Sequence, residues 1–561
     1  MPMPEPTVNR ARVPLLHLSG GPDEDIRVTL GPMPDAPCLI GLDFGSESAR
    51  GVLVDAGSGR LVGRAEVPYP HGIMTHALPG GAPIPPGFIL QDANDYLEAA
   101  GHLLGTLGRG RHIAGIGVAF TASSPLPTLA DGTPLSHVRP RDPHAWVKLW
   151  KHSAQRQADE INARGGAWLA NVGNRLSGEW LIPKAAEIAQ TAPATWAAAE
   201  RFIEAGDWLV WRLTGTECRS LDFAAFKAQH LPDAGYPRGI VEGLESRLAE
   251  PVPLGTAAGS LAGAWRERTG IAGEAIVAVA LIDSHAVLPA VGAVTDGCLC
   301  SSLGTSAAHL ALAREPHALP PGIEGMAFDA PVPGLWCLEA GQAGFGDALG
   351  WFVRAFPRSG DPAIDFPILE REAAALGPGA DEGLVALDWL AGNRVPHADS
   401  SLRGLVAGLS TRTSAAGLYR ALIDSLCFGA RRTVELLVAG GIDGRRHVVT
   451  SGLAHRSALL VQSLADALGH ELEVPRIDEP TAVGAAIHAA VAAGVVGDWA
   501  EGAARFGARE FRHVAPDEAR SRACEPLYAR YLALSESDVV RRESRAPDVV
   551  AASDETPCDD R

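Results

Sequence analysis

Two short stretches place hydroxyls or a carboxylate beside a glycine at the end of an apolar run. One is Asp43-Phe-Gly45-Ser46-Glu-Ser48, which follows 38–42; the other is Gly304-Thr305-Ser306, which follows 297–303. Transfer of a phosphoryl group asks little covalent chemistry of a protein and much placement of charge, so phosphate-binding turns and a metal-anchoring carboxylate are its minimum hardware. Gly45 and Ser46 supply one such turn, Gly304 and Thr305 a second, and Asp43 could hold Mg²⁺ through water. Neither is a Walker loop, because no GxxxxGK[ST] occurs. Each turn alone reads equally as an ordinary hairpin. Together, at corresponding places in two halves of one chain, they point to a nucleotide site.

A third carboxylate, Asp283, follows the apolar run 275–282. Carboxylates at the ends of buried strands are placed for catalysis in α/β folds, here as a general base, although Asp also serves well as a helix N-cap. His285, beside the same run, reads as structural. Glu339-Ala-Gly341-Gln342 with Gly346-Asp347 forms a polar, Gly-rich stretch suited to sugar hydroxyls but otherwise loop-like. The mixture of aromatic and cationic residues over 146–152 reads as a partly buried helix start.

The elements that must position these groups are mixed. Alternating apolar runs and turn residues predict a β-meander from Cys38 to Tyr69, and the similar pattern from Gly297 to Leu312 suggests a duplicated domain. Helices are predicted over 180–190, 415–439 and 457–468, the second closed by Gly440-Gly441, and 275–282 as a strand buried on both faces. The fold class expected is therefore α/β. A chain of 561 residues exceeds one core, which usually stops growing at roughly 250–300 residues, so two large domains are expected. The boundaries read as a flexible extension 1–37, domains 38–294 and 295–534, and a disordered tail 535–561.

A net charge of −18 argues against nucleic acid as a partner, and the lack of a long apolar run argues against a membrane span. Eight Cys without CxxC spacing are expected to be reduced in a cytoplasmic protein.

In this order the pieces resemble the FGGY carbohydrate kinases of the actin-like ATPase superfamily, over about 38–531. The likeness is strongest to the ribulokinase branch, on Ile40-Gly-Leu-Asp-Phe-Gly-Ser-Glu-Ser48, Pro68-Tyr-Pro-His-Gly72, Trp146-Val-Lys-Leu-Trp-Lys-His152, Ser177-Gly-Glu-Trp180, Asp283-Ser-His-Ala286 and Leu338-Glu-Ala-Gly-Gln342. The resemblance implies two actin-like (ribonuclease H-like) domains with a cleft between them, and ATP-dependent phosphorylation of the 5-hydroxyl of a ketopentose, with Mg²⁺. A homodimer is compatible with it. It also implies Asp43 as metal anchor, Asp283 as base, Gly304 and Thr305 as the second phosphate turn, and Ala122, Lys227 and Glu339 as sugar contacts. Gly452 and Ala454 fall in its adenosine loop, and 481–486 in the helix joining the lobes. This chain departs from the family pattern at Ala119, where an Asp is usual near the sugar end. It departs again at Ser451 and Ser457, where the adenosine loop usually has Gly and Asn.

Overall fold

The structure, a computed structural model, describes residues 27–31, 36–317, 319, 322–379 and 383–545. The first half builds one sheet from β1 (Arg27–Leu30), β2 (Cys38–Phe44), β3 (Ser48–Asp55), β4 (Leu61–Pro68), β5 (Ile113–Phe120), β6 (Ala257–Ser260), β7 (Ile276–Ala278) and β8 (Leu281–Ile282). Its order is β1-β4-β3-β2-β5-β7-β6, with β8 continuing alongside β5. Helices of this half that bear on the site are α1 (Leu181–Thr191), α2 (Leu221–Lys227) and α3 (Asp283–Ala290).

The second half repeats the plan with β9 (Cys298–Leu303), β10 (Ala307–Ala313), β11 (Gly325–Phe328), β12 (Trp336–Gln342), β13 (Arg446–Thr450), β14 (Leu472–Pro475) and β15 (Phe511–Val514), ordered β11-β12-β10-β9-β13-β14-β15. In each sheet three antiparallel strands, β4-β3-β2 or β12-β10-β9, are followed by a parallel neighbour, β5 or β13. The duplication suggested by the two turns is therefore a duplication of sheet topology, and the fold is α/β.

The second lobe is built around α4 (Ala415–Ala439), with α5 (Gly452–Arg456), α6 (Ala458–Leu468) and α7 (Pro480–Ala492) following in the chain. Ser414 caps α4, its Oγ accepting from Gly417 N–H at 3.0 Å, a bond worth about 1 kcal/mol in such positions. Leu422, Leu426, Ala430 and Leu437 bury the predicted stripe.

Four expectations are corrected. The run 275–282 is two short strands, broken at Val279-Ala280 where the partner of β5 shifts. Residues 339–342 are the end of β12, not a loop. The predicted helix start at 146–152 is instead a two-residue strand, Val147–Lys148, paired with Leu90–Gln91. Finally, Arg27–Leu30, within the supposed extension, pairs with β4, and Asp538–Glu543, within the supposed tail, is a helix; residues 1–26, 32–35 and 546–561 lie outside the described set.

One helix ties the halves together. Although α7 comes late in the chain, it lies against β2, β5 and α3 of the first lobe. The approach is too close for side chains. A methyl group on Gly41 would stand 1.8 Å from Ala482 O, on Gly117 1.9 Å from Ala485 O, and on Gly484 1.6 Å from Ala286 O. All three clashes are with backbone, which cannot rotate away.

Gly117→Ala is therefore expected to destabilise the fold by about 3 kcal/mol or more, at the upper end of overpacking costs. The midpoint of denaturant unfolding measures this, and Gly484→Ala should behave alike.

Candidate active site

The ladder on β5 decides where the acidic residues emerge. Asp43 of β2 and Leu281 of β8 are both in parallel register with Ala119 of β5, one on each side. Two strand spacings separate them, about 10 Å, and the chain turns at Ile282 into α3, whose first residue is Asp283. Both carboxylates thus leave the carboxyl edge of the same parallel strands, the edge where α/β sheets bind ligands.

The two turns bound the same space. Gly45 N–H donates to Ser48 O at 3.1 Å, and Gly304 N–H to Ser306 O at 2.9 Å. Trp150 Nε1 fixes the first turn by donating to Ser46 Oγ at 2.8 Å, and Gln91 Nε2 donates to Ser46 O at 2.6 Å. The second turn is fixed through its carbonyls, which accept from Phe345, Gly346 and Asp347 N–H at 2.9–3.2 Å. Lys184 on α1, fully buried, donates to Ser123 O at 2.5 Å and Leu149 O at 2.9 Å, so one ammonium sets both the 121–124 segment and the approach to Trp150.

Between the turns lies a cleft of about 780 Å³. Asp43, Gly45, Ser46, Ala122, Lys227, Asp283, Gly304, Thr305 and Glu339 all line it. Gly452 and Ala454 do not; the wall there is Ser451, while Gly452 is exposed and Ala454 packs in the second core. Ala119 is buried in the first core and does not itself reach the cleft, although it stands level with Asp43 on the neighbouring strand. Ser457 is buried too, where it caps α6 at Leu460 N–H and donates to Glu370 Oε2 at 2.7 Å.

Charges inside the cleft are held in pairs that cross it. Lys227 Nζ meets Glu339 Oε2 at 2.6 Å, and Arg394 Nη2 meets Glu179 Oε2 at 2.7 Å with Glu324 Oε1 3.7 Å from its Nε. The Arg394 guanidinium also lies over the Trp150 ring, 5.6 Å from its centroid. Burial raises the Glu339 carboxyl, but Lys227 and His285 more than reverse this and hold it well below the usual carboxylate range.

The two central acids behave differently. Burial, with the neighbouring charge of Asp283, pushes Asp43 up to about 7 against the pull of Arg50. Burial also raises Asp283 to about 6, moderated by the Ser284 N–H bond, His285 and Lys227. No hydrogen bond from any described residue reaches the Asp43 carboxylate. A half-buried carboxylate without a hydrogen-bond donor, beside a second one, is a donor set that suits a hard dication keeping most of its waters, so the residues present fit Mg²⁺.

The sequence reading missed Glu179, Trp150, Glu324 and Arg394 as cleft residues. Glu179 and Trp150 sat inside recognisable motifs, but Glu324 and Arg394 come from connecting segments with no pattern of their own.

Comparison with known proteins agrees with this geometry. Residues 299–493 match the profile described as "FGGY family of carbohydrate kinases, C-terminal domain". The chain is 36% identical to a ribulokinase of Geobacillus thermodenitrificans, covering 81% of this chain and 86% of that protein. The chain belongs to the FGGY family of carbohydrate kinases. A ribulokinase of Mycolicibacterium smegmatis is also 36% identical, over 89% of this chain and 94% of its own length. Among solved structures, a xylulose kinase from Brucella ovis superposes with TM-score 0.75 at 22% identity, covering 89% of this chain and 98% of the other. Plasmodium falciparum glycerol kinase with ADP gives 0.72 at 14% identity, covering 90% and 99%. These share the two-lobed fold of FGGY kinases.

Ser451 occupies a backbone conformation (φ 104°, ψ 171°) that is nearly exclusive to glycine. Its hydroxyl donates to Leu303 O, the last residue before the Gly304 turn, and so ties β13 to β9. Ser451→Gly removes about 1–3 kcal/mol of strain and loses a bond worth about 0.5–1.5 kcal/mol, so it is expected to be near neutral. Ser451→Ala loses the bond and keeps the strain. It should be the less stable of the two by about 1–3 kcal/mol in thermal or denaturant unfolding.

Proposed function

We propose that this FGGY kinase transfers the γ-phosphoryl group of ATP to the 5-hydroxyl of L-ribulose, giving L-ribulose 5-phosphate and ADP. The observation that carries the reading is the convergence of Asp43, Asp283 and both Gly-containing turns on one cleft whose far wall holds Lys227, Glu339 and Ala122. The ribulokinase names of relatives at 36% identity favour L-ribulose among sugars.

In this mechanism the sugar lies against Ala122, Lys227 and Glu339, and the triphosphate lies along the Gly45 and Gly304 turns. Asp283 orients the hydroxyl and accepts its proton as the oxygen attacks the γ-phosphorus, while the bond to the β-phosphate oxygen breaks and ADP leaves. Mg²⁺ held through water at Asp43 would neutralise charge on the phosphates. The pairs Lys227–Glu339 and Arg394–Glu179 join the lobes around the sugar end, so the same side chains that contact the sugar close out water that would otherwise hydrolyse ATP.

Turnover over Michaelis constant for L-ribulose, D-ribulose, xylulose, ribitol and glycerol tests the substrate. L-ribulose should lead, and a clear lead by another sugar would overturn the assignment. Asp283→Ala should lose about 10²- to 10⁴-fold in turnover with sugar binding still measurable.

The active form of Asp283 is the carboxylate, and burial raises its pKa to about 6. Activity should accordingly be full above that pH and fall about tenfold per unit below it. A pH profile of kcat/KM that stays flat down to pH 5 would contradict the base assignment.

A further inference from the structure

Behind Asp283 lies a chain of buried charged groups that the mechanism above does not use. Asp222, on α2, is fully buried and accepts two hydrogen bonds, from Ile282 N–H at 2.9 Å and from His285 Nδ1 at 2.7 Å. Those donors stand immediately before Asp283 and two residues after it. One carboxylate therefore grips the chain on both sides of the general base.

The far side of the imidazole is directed as well. His285 is fully buried, its Nδ1–H is committed to Asp222, and its Nε2 has no hydrogen-bond partner. That atom faces Glu339 Oε1 at 3.8 Å, too long for a hydrogen bond but close for an ion pair in a dry site. The other oxygen of Glu339 is the one bonded to Lys227, which ends the same helix that carries Asp222. The Phe226 ring meets the imidazole edge-on at 4.7 Å and leaves it little freedom to turn.

We infer that Asp222 and His285 are positioning residues for phosphoryl transfer: Asp222 fixes the backbone that aims Asp283, and His285 stands behind Glu339 and holds its carboxylate toward Lys227 and the sugar. A histidine that merely filled space would need neither a buried acid on one nitrogen nor an acid opposite the other. Burial disfavours the charged ring, but Asp222 and Glu339 outweigh it and raise His285 to about 9, which agrees with the geometry. The inference rests on the reading of Asp283 as base and Glu339 as sugar contact.

The test is a double-mutant cycle on the full chain, using whichever sugar the substrate panel ranks first. Asp222→Asn keeps the shape and removes the charge; it should lower kcat by about 10- to 100-fold, the loss expected when a reacting group is displaced by up to about 1 Å, with the KM for ATP changed less than about two-fold. In an Asp283→Ala background the same substitution should change the residual kcat by less than about two-fold, because the group it aims is gone. His285→Gln should raise the sugar KM by about tenfold or more and leave the KM for ATP unchanged. Losses by Asp222→Asn that multiply fully with those of Asp283→Ala would overturn the positioning role of Asp222, as would an unaltered kcat. An unchanged sugar KM in His285→Gln would overturn the role of His285. If Asp222→Asn does not fold, as judged by loss of a cooperative melting transition, Asp222→Glu replaces it in the cycle. Near-normal turnover by Asp283→Ala alone would sink the base assignment and the Asp222 half with it, and the His285 half is then decided by the sugar KM.

Discussion

The contact between α7 and the first sheet is the constraint on which the rest of the molecule depends. Gly41 and Gly117 let the backbone of α7 sit directly on two strands, and Gly484 lets it sit directly on a carbonyl of α3. Close-packed interiors do not deform continuously, so this contact is either made or lost. When it is made, the start of α7, with Thr481 on the cleft wall, is registered against β2 and α3, whose ends bear Asp43 and Asp283. The second lobe is thereby located relative to the acids of the first without any long-range electrostatic guidance.

Charge in the cleft follows from that arrangement. A polyanion bound in the cleft of an acidic protein would need a local positive field, yet the two turns carry no Lys or Arg at 45–46 or 304–305. Backbone N–H groups and a dication fit this role, and burial beside the charge of Asp283 raises Asp43, the state expected of a carboxylate that lacks a cation partner. Of the four cations that line the cleft among the described residues, Lys227 and Arg394 are neutralised by glutamates of the opposite lobe, Lys151 by Asp347 and Arg50 by Glu66 of its own lobe. Removing one partner of such a pair leaves an uncompensated charge, so the Lys227 and Arg394 pairs tie the lobes together at the cleft.

Much of this was legible in the amino-acid sequence because the signals were local. Apolar runs ending in Asp43 and Asp283, glycine-bearing turns at 45 and 304, and the stripe of Ala415–Ala439 each depend on neighbours in the chain. The stripe gave the helix to its residue limits because Ser414 and Gly440 bound it. What could not be read was whatever depends on partners far away. The run 275–282 breaks at Val279-Ala280 because its register on β5 slips there, and Arg27–Leu30 becomes a strand only because β4 offers an unpaired edge. Near 451–454 the cleft is lined by Ser451, whose φ of 104° suits the Gly that the family pattern has there, while Gly452 and Ala454 do not line it. Arg394 and Glu324 were invisible because Arg394 meets Glu324 and the distant Glu179 only in the tertiary fold.

The wall that carries Glu339 is stiffened by a chain of side-chain hydrogen bonds crossing four strands of the second sheet, β13, β9, β10 and β12. It runs from His470 to His447 at 3.0 Å, on to Ser301 at 2.7 Å, His309 at 2.8 Å and Gln342 at 3.1 Å, and ends on Asp388, which Tyr531 also bonds at 2.8 Å. Its proton order follows from one end. The Gln342 amide nitrogen faces two acceptors, Asp388 Oδ2 and Leu426 O, so its oxygen must accept, and His309 must carry its proton on Nε2. Burial keeps His309 and His447 neutral, their pKa values pulled down, so His309 Nδ1 accepts from Ser301 and Ser301 accepts from His447 Nε2–H. His447 Nδ1 is then left to accept from His470. Every donor points the same way, and none can be reversed without stranding a buried acceptor, which would cost about 1–3 kcal/mol. Gln342 is the last residue of β12 and Glu339 lies three before it, so this directional chain fixes the strand that presents Glu339 to the cleft.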